Sequence, residues 1–179
     1  LARASAGGVL SMKELLDIGS TVRTVRGIRE WRNNSGGQDE LKIDLYFNSL
    51  MPNKYLEDKI FSAILSEEEM SDNASPELAS IRRQIKNKEN SVRDQLEKLI
   101  RSQKLKTVLQ DAIITQRNGR YVVPVKSEHR ASVSGLVHDT SSTGATVFVE
   151  PAGVVEANND IRVLRGKEAQ EIERILYEL

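Results

Sequence analysis

The sequence predicts a mainly helical protein with a small β insert, in which long helices carry a short antiparallel sheet. Three observations carry this expectation. Apolar residues recur at helical spacing at both ends of the 179-residue chain. Residues 117–150 break that pattern with short β-branched runs and an Asn118-Gly119 pair. Charged residues make up 29% of the chain and aromatics only 4%, a balance that suits extended helices better than one thick core.

Taken in order, Ser11 caps a first helix bearing Leu15, Leu16, Ile18, Val22, Val25 and Ile28, and Glu14 completes a capping box with it. The polar run Asn33-Asn34-Ser35-Gly36-Gly37 stops that helix. Two shorter helices, 41–50 and 53–65, are split by Pro52, and 67–74 forms an acidic loop. Ser75 then caps a long helix with Pro76 at its first position. The helix is expected to reach about Lys104, roughly 40 Å at 1.5 Å per residue.

The apolar stripe of this helix is narrow: Leu78, Ile81, Ile85, Val92, Leu96 and Leu99, with Lys88 and Gln95 on or beside it. So polar a helix packs along one partner and is solvated elsewhere. Its natural partner is the last helix, 154–179, striped by Ile161, Leu164, Ile172, Ile175 and Leu179. An antiparallel pair would hold the sheet at one end. The expected division is therefore 1–109 as a helical part, 110–151 as the β insert, and 152–179 as the returning helix.

Within the insert, 112–116 and 120–125 form a hairpin about Asn118-Gly119, whose type I′ turn needs positive φ at both positions. Tyr121, Val123 and Val125 share a face. Pro124 lacks a donor for a ladder, which points to an edge strand or a bulge. Residues 133–139 and 145–150 form the second strand pair, ended by Pro151.

Composition excludes several chemistries. The chain has no cysteine, so disulfide and thiolate chemistry are out, and a reducing, cytoplasmic setting is expected. No apolar run is long enough for a bilayer-spanning helix, so no membrane partner is expected. Gly166-Lys167 is followed by Glu168, and position 161 is Ile, so no Walker motif is present. His138-Asp139 beside Ser141 and Ser142 suggests a hydrolase only until strand geometry is considered, since neighbouring strand residues point to opposite faces. His129 and His138 show no metal-ligand spacing with the carboxylates. No catalytic, cofactor-binding or metal-binding residue is expected, and an enzyme is not predicted.

One constellation remains. Arg117, Arg120, Lys126 and Arg130 surround the hairpin with His129 among them, and Glu128 alone opposes them, a local excess of three positive charges on a chain of zero net charge. An ordinary solvated rim explains such a group as well as phosphate contact does. Tyr121, Trp31 and Phe148 are read as core residues.

The run GRYVVPVKSEHRASVSGLVHDTSSTGATVFVEPAGVVEANNDIR closely resembles the corresponding segment of MutS-two, the bacterial branch of the MutS mismatch-repair family. LARASAGGVLSMKELLDIGSTVR and DNASPELASIRRQI follow the same pattern, so the resemblance runs in order along nearly the whole chain. It implies a homodimer with a helical core, paired lever helices and a clamp-like β region that approaches DNA. It further implies an ATPase domain using ATP and Mg, and a C-terminal Smr nuclease domain, whose motifs are not among these residues. The chain is accordingly expected to be a piece of a longer protein.

The implied role is suppression of homologous recombination by engaging branched DNA such as Holliday junctions, with Arg117, Arg120, Lys126, His129 and Arg130 on phosphates. The alternative is a structural dimerisation and lever module of a protein acting on stalled, collided ribosomes.

Overall fold

The computed structural model describes residues 2–35 and 42–179. The chain folds as two compact units, Leu1–Ala79 with Ala169–Leu179, and Ser80–Glu168. Its helices are α1 (Ala2–Ser5), α2 (Met12–Asn34), α3 (Asp44–Ser49), α4 (Lys54–Ala63), α5 (Pro76–Ile100) and α6 (Val155–Glu178). Its strands are β1 (Thr115–Arg117), β2 (Arg120–Lys126), β3 (Gly135–Thr140) and β4 (Thr146–Pro151). The fold is mainly α with a small antiparallel sheet, as the sequence predicts. Among the described residues no helix is long and apolar enough to cross a membrane.

In the first unit α2 starts as anticipated. Ser11 Oγ accepts from the Glu14 amide, and the Glu14 carboxylate accepts from the Ser11 amide at 2.8 Å. The helix ends at Asn34; Gly36, Gly37 and Leu41, where the sequence predicts a turn and a helix start, lie outside the described residues. The apolar stripe of α2 is only partly used. Leu15 is buried, whereas Ile28 is exposed.

Trp31 departs from its expected place in the core: it is 65% exposed. Helix α3 meets that end of α2 mainly through polar links, and Phe47, with its ring centre 6.4 Å from that of Trp31, leaves most of the indole in water. Arg32 Nε donates to Asp44 at 2.6 Å, and Arg29 Nη1 to the Leu50 carbonyl at 2.9 Å. Along the buried end of α2, Leu10, Leu15, Ile60, Ala63 and Ile64 form the core. Glu57 sits against it with 1% exposure, and Arg23 and Arg26 hold both of its oxygens at 2.8–3.0 Å. These hydrogen bonds, Arg26's first, pull the Glu57 carboxyl down to about 2.

Helix α5 begins in this unit at its Ser75 cap, whose hydroxyl accepts from the Leu78 amide at 2.9 Å and donates to Glu171 at 2.6 Å. Arg174 and then Ser75 lower Glu171 to about 2. Leu78, Met70 and Ile175 close a small apolar cluster beside it.

In the second unit α5 and α6 run antiparallel, as their ion pairs record: Arg82 with Glu168 at 2.7 Å, Glu89 with Arg165 at 2.6 Å, and Lys88 with Asp160 at 2.7 Å. Ile81 and Ile85 meet Leu164. Further along, Val92, Leu96 and Ile161 join the sheet residues Tyr121, Val123, Val125 and Val149 in the main core. The narrow stripe of α5 is therefore covered by α6 and the sheet. Helix α5 stops at Ile100, four residues short of the expected Lys104, and the chain enters a 3-10 turn, Gln103–Leu105. The reason is packing: Leu105, Val108 and Leu109 turn back onto the same core, which a continuing helix would carry past it.

The sheet order is β1-β2-β4-β3, antiparallel throughout. Asn118 and Gly119 take φ of 52° and 74°, the two positive values a type I′ turn needs. Pro124 corrects the edge-strand expectation, since β2 is an interior strand buried along its middle. The missing donor is tolerated because of where it points. The Pro124 carbonyl accepts from the Gln110 amide at 3.0 Å, on the side where β1 has already ended, so the ladder to β4 loses nothing.

Candidate nucleic-acid interface

The five cations proposed from the sequence do not form one outward face; the fold gives them separate tasks. Arg117, at the end of β1, pairs with Asp139 at 3.0 Å and lays its guanidinium 3.9 Å from the centre of the Phe148 ring. Phe148 is thus half-buried under a cation rather than in the core. Arg120 is turned inward, with its side chain 15% exposed; it donates to Glu150 at 2.8 Å and to Asn159 at 2.5 Å. Arg130 donates to the Val133 and Gly135 carbonyls, each at 2.7 Å, and so staples the start of β3. Lys126 reaches back to the Thr107 carbonyl at 3.0 Å. His129 is half-exposed, with Glu128 3.8 Å away.

A buried polar group that the sequence does not single out ties this unit together. Glu150 on β4 has no exposure to water. Its Oε1 accepts from Arg120 at 2.8 Å and from Asn158 Nδ2 at 2.7 Å, and its Oε2 lies 2.5 Å from His138 Nε2. Asn158 also exchanges hydrogen bonds with the Tyr121 backbone, accepting at 3.3 Å and donating at 3.2 Å. One carboxylate thereby joins β2, β3, β4 and α6.

Burial pushes the Glu150 carboxyl up, but the hydrogen bonds from Asn158, His138 and Arg120 outweigh it and hold it below the ordinary carboxylate range. A faint signal existed in the sequence: Glu150 stands between Val149 and Pro151 at the end of an apolar strand.

The same geometry disposes of the hydrolase reading. A register shift between Val137 and Asp139 marks a bulge at His138. His138 turns to Glu150 while Asp139 turns to Arg117, so the two do not orient one another. Ser141 Oγ accepts from the Thr146 amide at 3.1 Å and serves the β3–β4 turn. Gly166 and Lys167 lie inside α6, where backbone amides are committed to helix hydrogen bonds, so the pair does not fit a phosphate cradle for ATP.

A second basic group, also missed in the sequence, precedes the sheet. Lys98, Arg101, Lys104 and Lys106 follow one another with no Asp or Glu between Glu97 and Asp111. All four are exposed.

These features define a helix-borne antiparallel sheet knotted to its returning helix by a buried carboxylate, a scaffold carrying an insert. Comparison with known proteins then makes the identity specific. The chain is 46% identical to endonuclease MutS2 of Acetivibrio thermocellus over 182 aligned residues, covering 100% of this chain and 23% of that protein. It is 47% identical to endonuclease MutS2 of Ruminiclostridium cellulolyticum, covering 100% and 23%, and 48% identical to that of Clostridioides difficile, covering 99% and 23%. The chain belongs to the MutS2 family. It spans about a quarter, 23%, of the length of these curated relatives. No protein-family profile matches it.

Proposed function

We propose that this chain is the nucleic-acid-engaging core, lever and clamp-like segment of a MutS-type, ATP-dependent DNA-binding protein that suppresses homologous recombination by engaging branched DNA, Holliday junctions among them. The observation that carries the reading is membership of the MutS2 family along the whole chain. Its relatives are named endonucleases, and in this reading nuclease and ATPase activities, with ATP and Mg, belong to parts of such proteins beyond these 179 residues. The longer protein acts as a cytoplasmic homodimer.

Of the five hairpin cations, Lys126 and His129 are the more available to phosphates, while Arg117, Arg120 and Arg130 spend their donors on the sheet. Nucleotide-driven motion would reach the sheet through α5 and α6 only if two arrangements of these helices bind nucleotide with different affinity.

The test is fluorescence anisotropy with a labelled four-way junction, a matched duplex and a single strand across a salt series. Junction-preferring binding that weakens with salt supports the reading. No binding by the folded chain sinks it.

A second reading has its own observation. Leu45, Tyr46, Met51, Tyr55 and Trp31 are 65–85% exposed around α2, α3 and the start of α4. Such a concentration of large apolar side chains suits a protein contact, and hence a dimerisation and lever module of a protein acting on stalled, collided ribosomes. Because the α5 stripe is already covered, pairing in that case uses these residues rather than the seam. A chain that stays monomeric at high concentration argues against it.

A further inference from the structure

We infer that the turn closing α5, with Lys98, Arg101, Lys104 and Lys106 joined by Lys126, is a seat for the phosphate backbone of duplex nucleic acid; this rests on the reading that the chain engages nucleic acid at all. Sequence, anchoring and charge pairing each support it.

Residues 98–110 hold four cations and no carboxylate. The apolar residues between the cations point the other way. Leu99, Ile100 and Leu105 pack against the main core, and Val108 and Leu109 belong to it with 7% and 4% exposure. The cations are therefore carried outward by a turn held firmly from beneath. Two backbone hydrogen bonds fasten it to β2, Lys126 amide to Val108 carbonyl and Gln110 amide to Pro124 carbonyl, both at 3.0 Å. Lys126 Nζ, 3.0 Å from the Thr107 carbonyl, adds a fifth positive charge to the same turn.

Charge pairing separates this group from the hairpin. Arg117, Arg120 and Arg130 have internal partners, whereas among the described residues no carboxylate pairs with Lys98, Lys104 or Lys106. Arg101 has Glu97 at 3.1 Å, an exposed contact one helical turn away that is readily exchanged. Cations that are held in place yet unpaired keep their full charge for an incoming anion.

The partner's chemistry follows from what the surface lacks. Residues 98–111 include no aromatic side chain, so nothing stacks on a base, and no apolar side chain is exposed between the cations to anchor a protein hot spot. A surface of this kind reads spaced negative charge and no sequence.

The test uses the whole 179-residue chain, duplex and junction DNA, and Lys98→Gln, Lys104→Gln and Lys106→Gln combined. Each phosphate contact contributes about 0.9 to the slope of log affinity against log salt. The triple variant is expected to flatten that slope by about 2–3 and to weaken low-salt binding by about 10–100-fold. Its circular dichroism and melting should be unchanged, and the Lys→Arg triple should bind like the parent. In the parent chain, bound duplex should protect Lys98, Lys104, Lys106 and Lys126 from acetylation, a readout that needs no variant.

An unchanged slope, with Lys98, Lys104 and Lys106 unprotected while the parent still binds, overturns this inference and leaves the proposed function standing. A parent that binds no nucleic acid defeats both. Competition by polyglutamate as effective as that by duplex at equal charge overturns it in favour of an acidic protein partner.

Discussion

Arg120 Nη1 lies 2.8 Å from Glu150 Oε1, an oxygen of a carboxylate with no exposure to water. This pair makes the insert a fixed attachment rather than a loose flap, because its remaining partners come from β3 and α6. Removing a buried charge's partner is more harmful than never burying the pair, since the orphaned ion keeps its desolvation cost. Arg120→Gln should therefore destabilise the chain by about 2–3 kcal/mol, below the usual range for a broken buried pair because Asn158 and His138 still serve Glu150. Glu150→Gln should be milder. Urea midpoints compare them, and an Arg120→Gln midpoint equal to the parent's would mean the pair is not holding the sheet.

Acid should unfold this protein through a small set of carboxylates. Glu57 and Glu171 are lowered to about 2, and Glu150 is lowered as well, from a usual 4.5. A depressed folded pKa means the unfolded chain binds protons first as pH falls. Their stabilisation is complete above about 4.5, declines as pH falls from there towards 2, and is gone below both values. Melting temperatures between pH 7 and pH 2 should hold level and then fall over that window. Glu57→Gln and Glu171→Gln should each make the fall shallower, and a parallel curve for either would remove that residue from the account.

Gly135 opens β3 with φ of 154°, and a Cβ built there would stand 1.9 Å from the Glu150 carbonyl oxygen. The obstruction is backbone of the neighbouring strand, which a rotamer change cannot relieve. Gly135→Ala should cost more than about 2 kcal/mol. Gly144→Ala, with open space around its Cβ, serves as the comparison within the same hairpin. Equal melting of the two variants would show that β3 shifts freely.

Trp31 is the only tryptophan and is 65% exposed. Its fluorescence should resemble indole in water and be quenched efficiently by acrylamide. Any partner that covers α2 and α3 should shift the emission to the blue and protect it. Blue-shifted emission from the monomeric chain would instead put Trp31 in a core that α2 and α3 do not provide.

The elements read most securely from sequence are those whose causes are local. The Ser11–Glu14 capping box, Ser75-Pro76 at the start of α5 and Asn118-Gly119 in the hairpin each act within four residues, and all three are present in the structure. Sequence and structure part where distant residues decide. Aromatic character places Trp31 in the core, yet what covers a residue depends on elements far away in sequence. Pro124 points to an edge strand or a bulge in the sequence because its missing donor is visible there and the donor's direction is not. The basic turn is an acid-free run from Lys98 to Gln110, but helical periodicity continuing to Lys104 masks it in the sequence.

The long helices, the hairpin and the family are legible in the sequence alone, because periodicity, capping chemistry and turn conformations are properties of neighbouring residues, and kinship is a property of residue order. Only tertiary structure decided which charges face solvent. Arg120, His138 and Asn158 come from three elements and converge on Glu150, while among the described residues no carboxylate pairs with Lys104 or Lys106. Whether a cation is spent inside the fold or kept for a partner depends on what packing brings within about 3 Å of it, a range at which hydrogen bonds form.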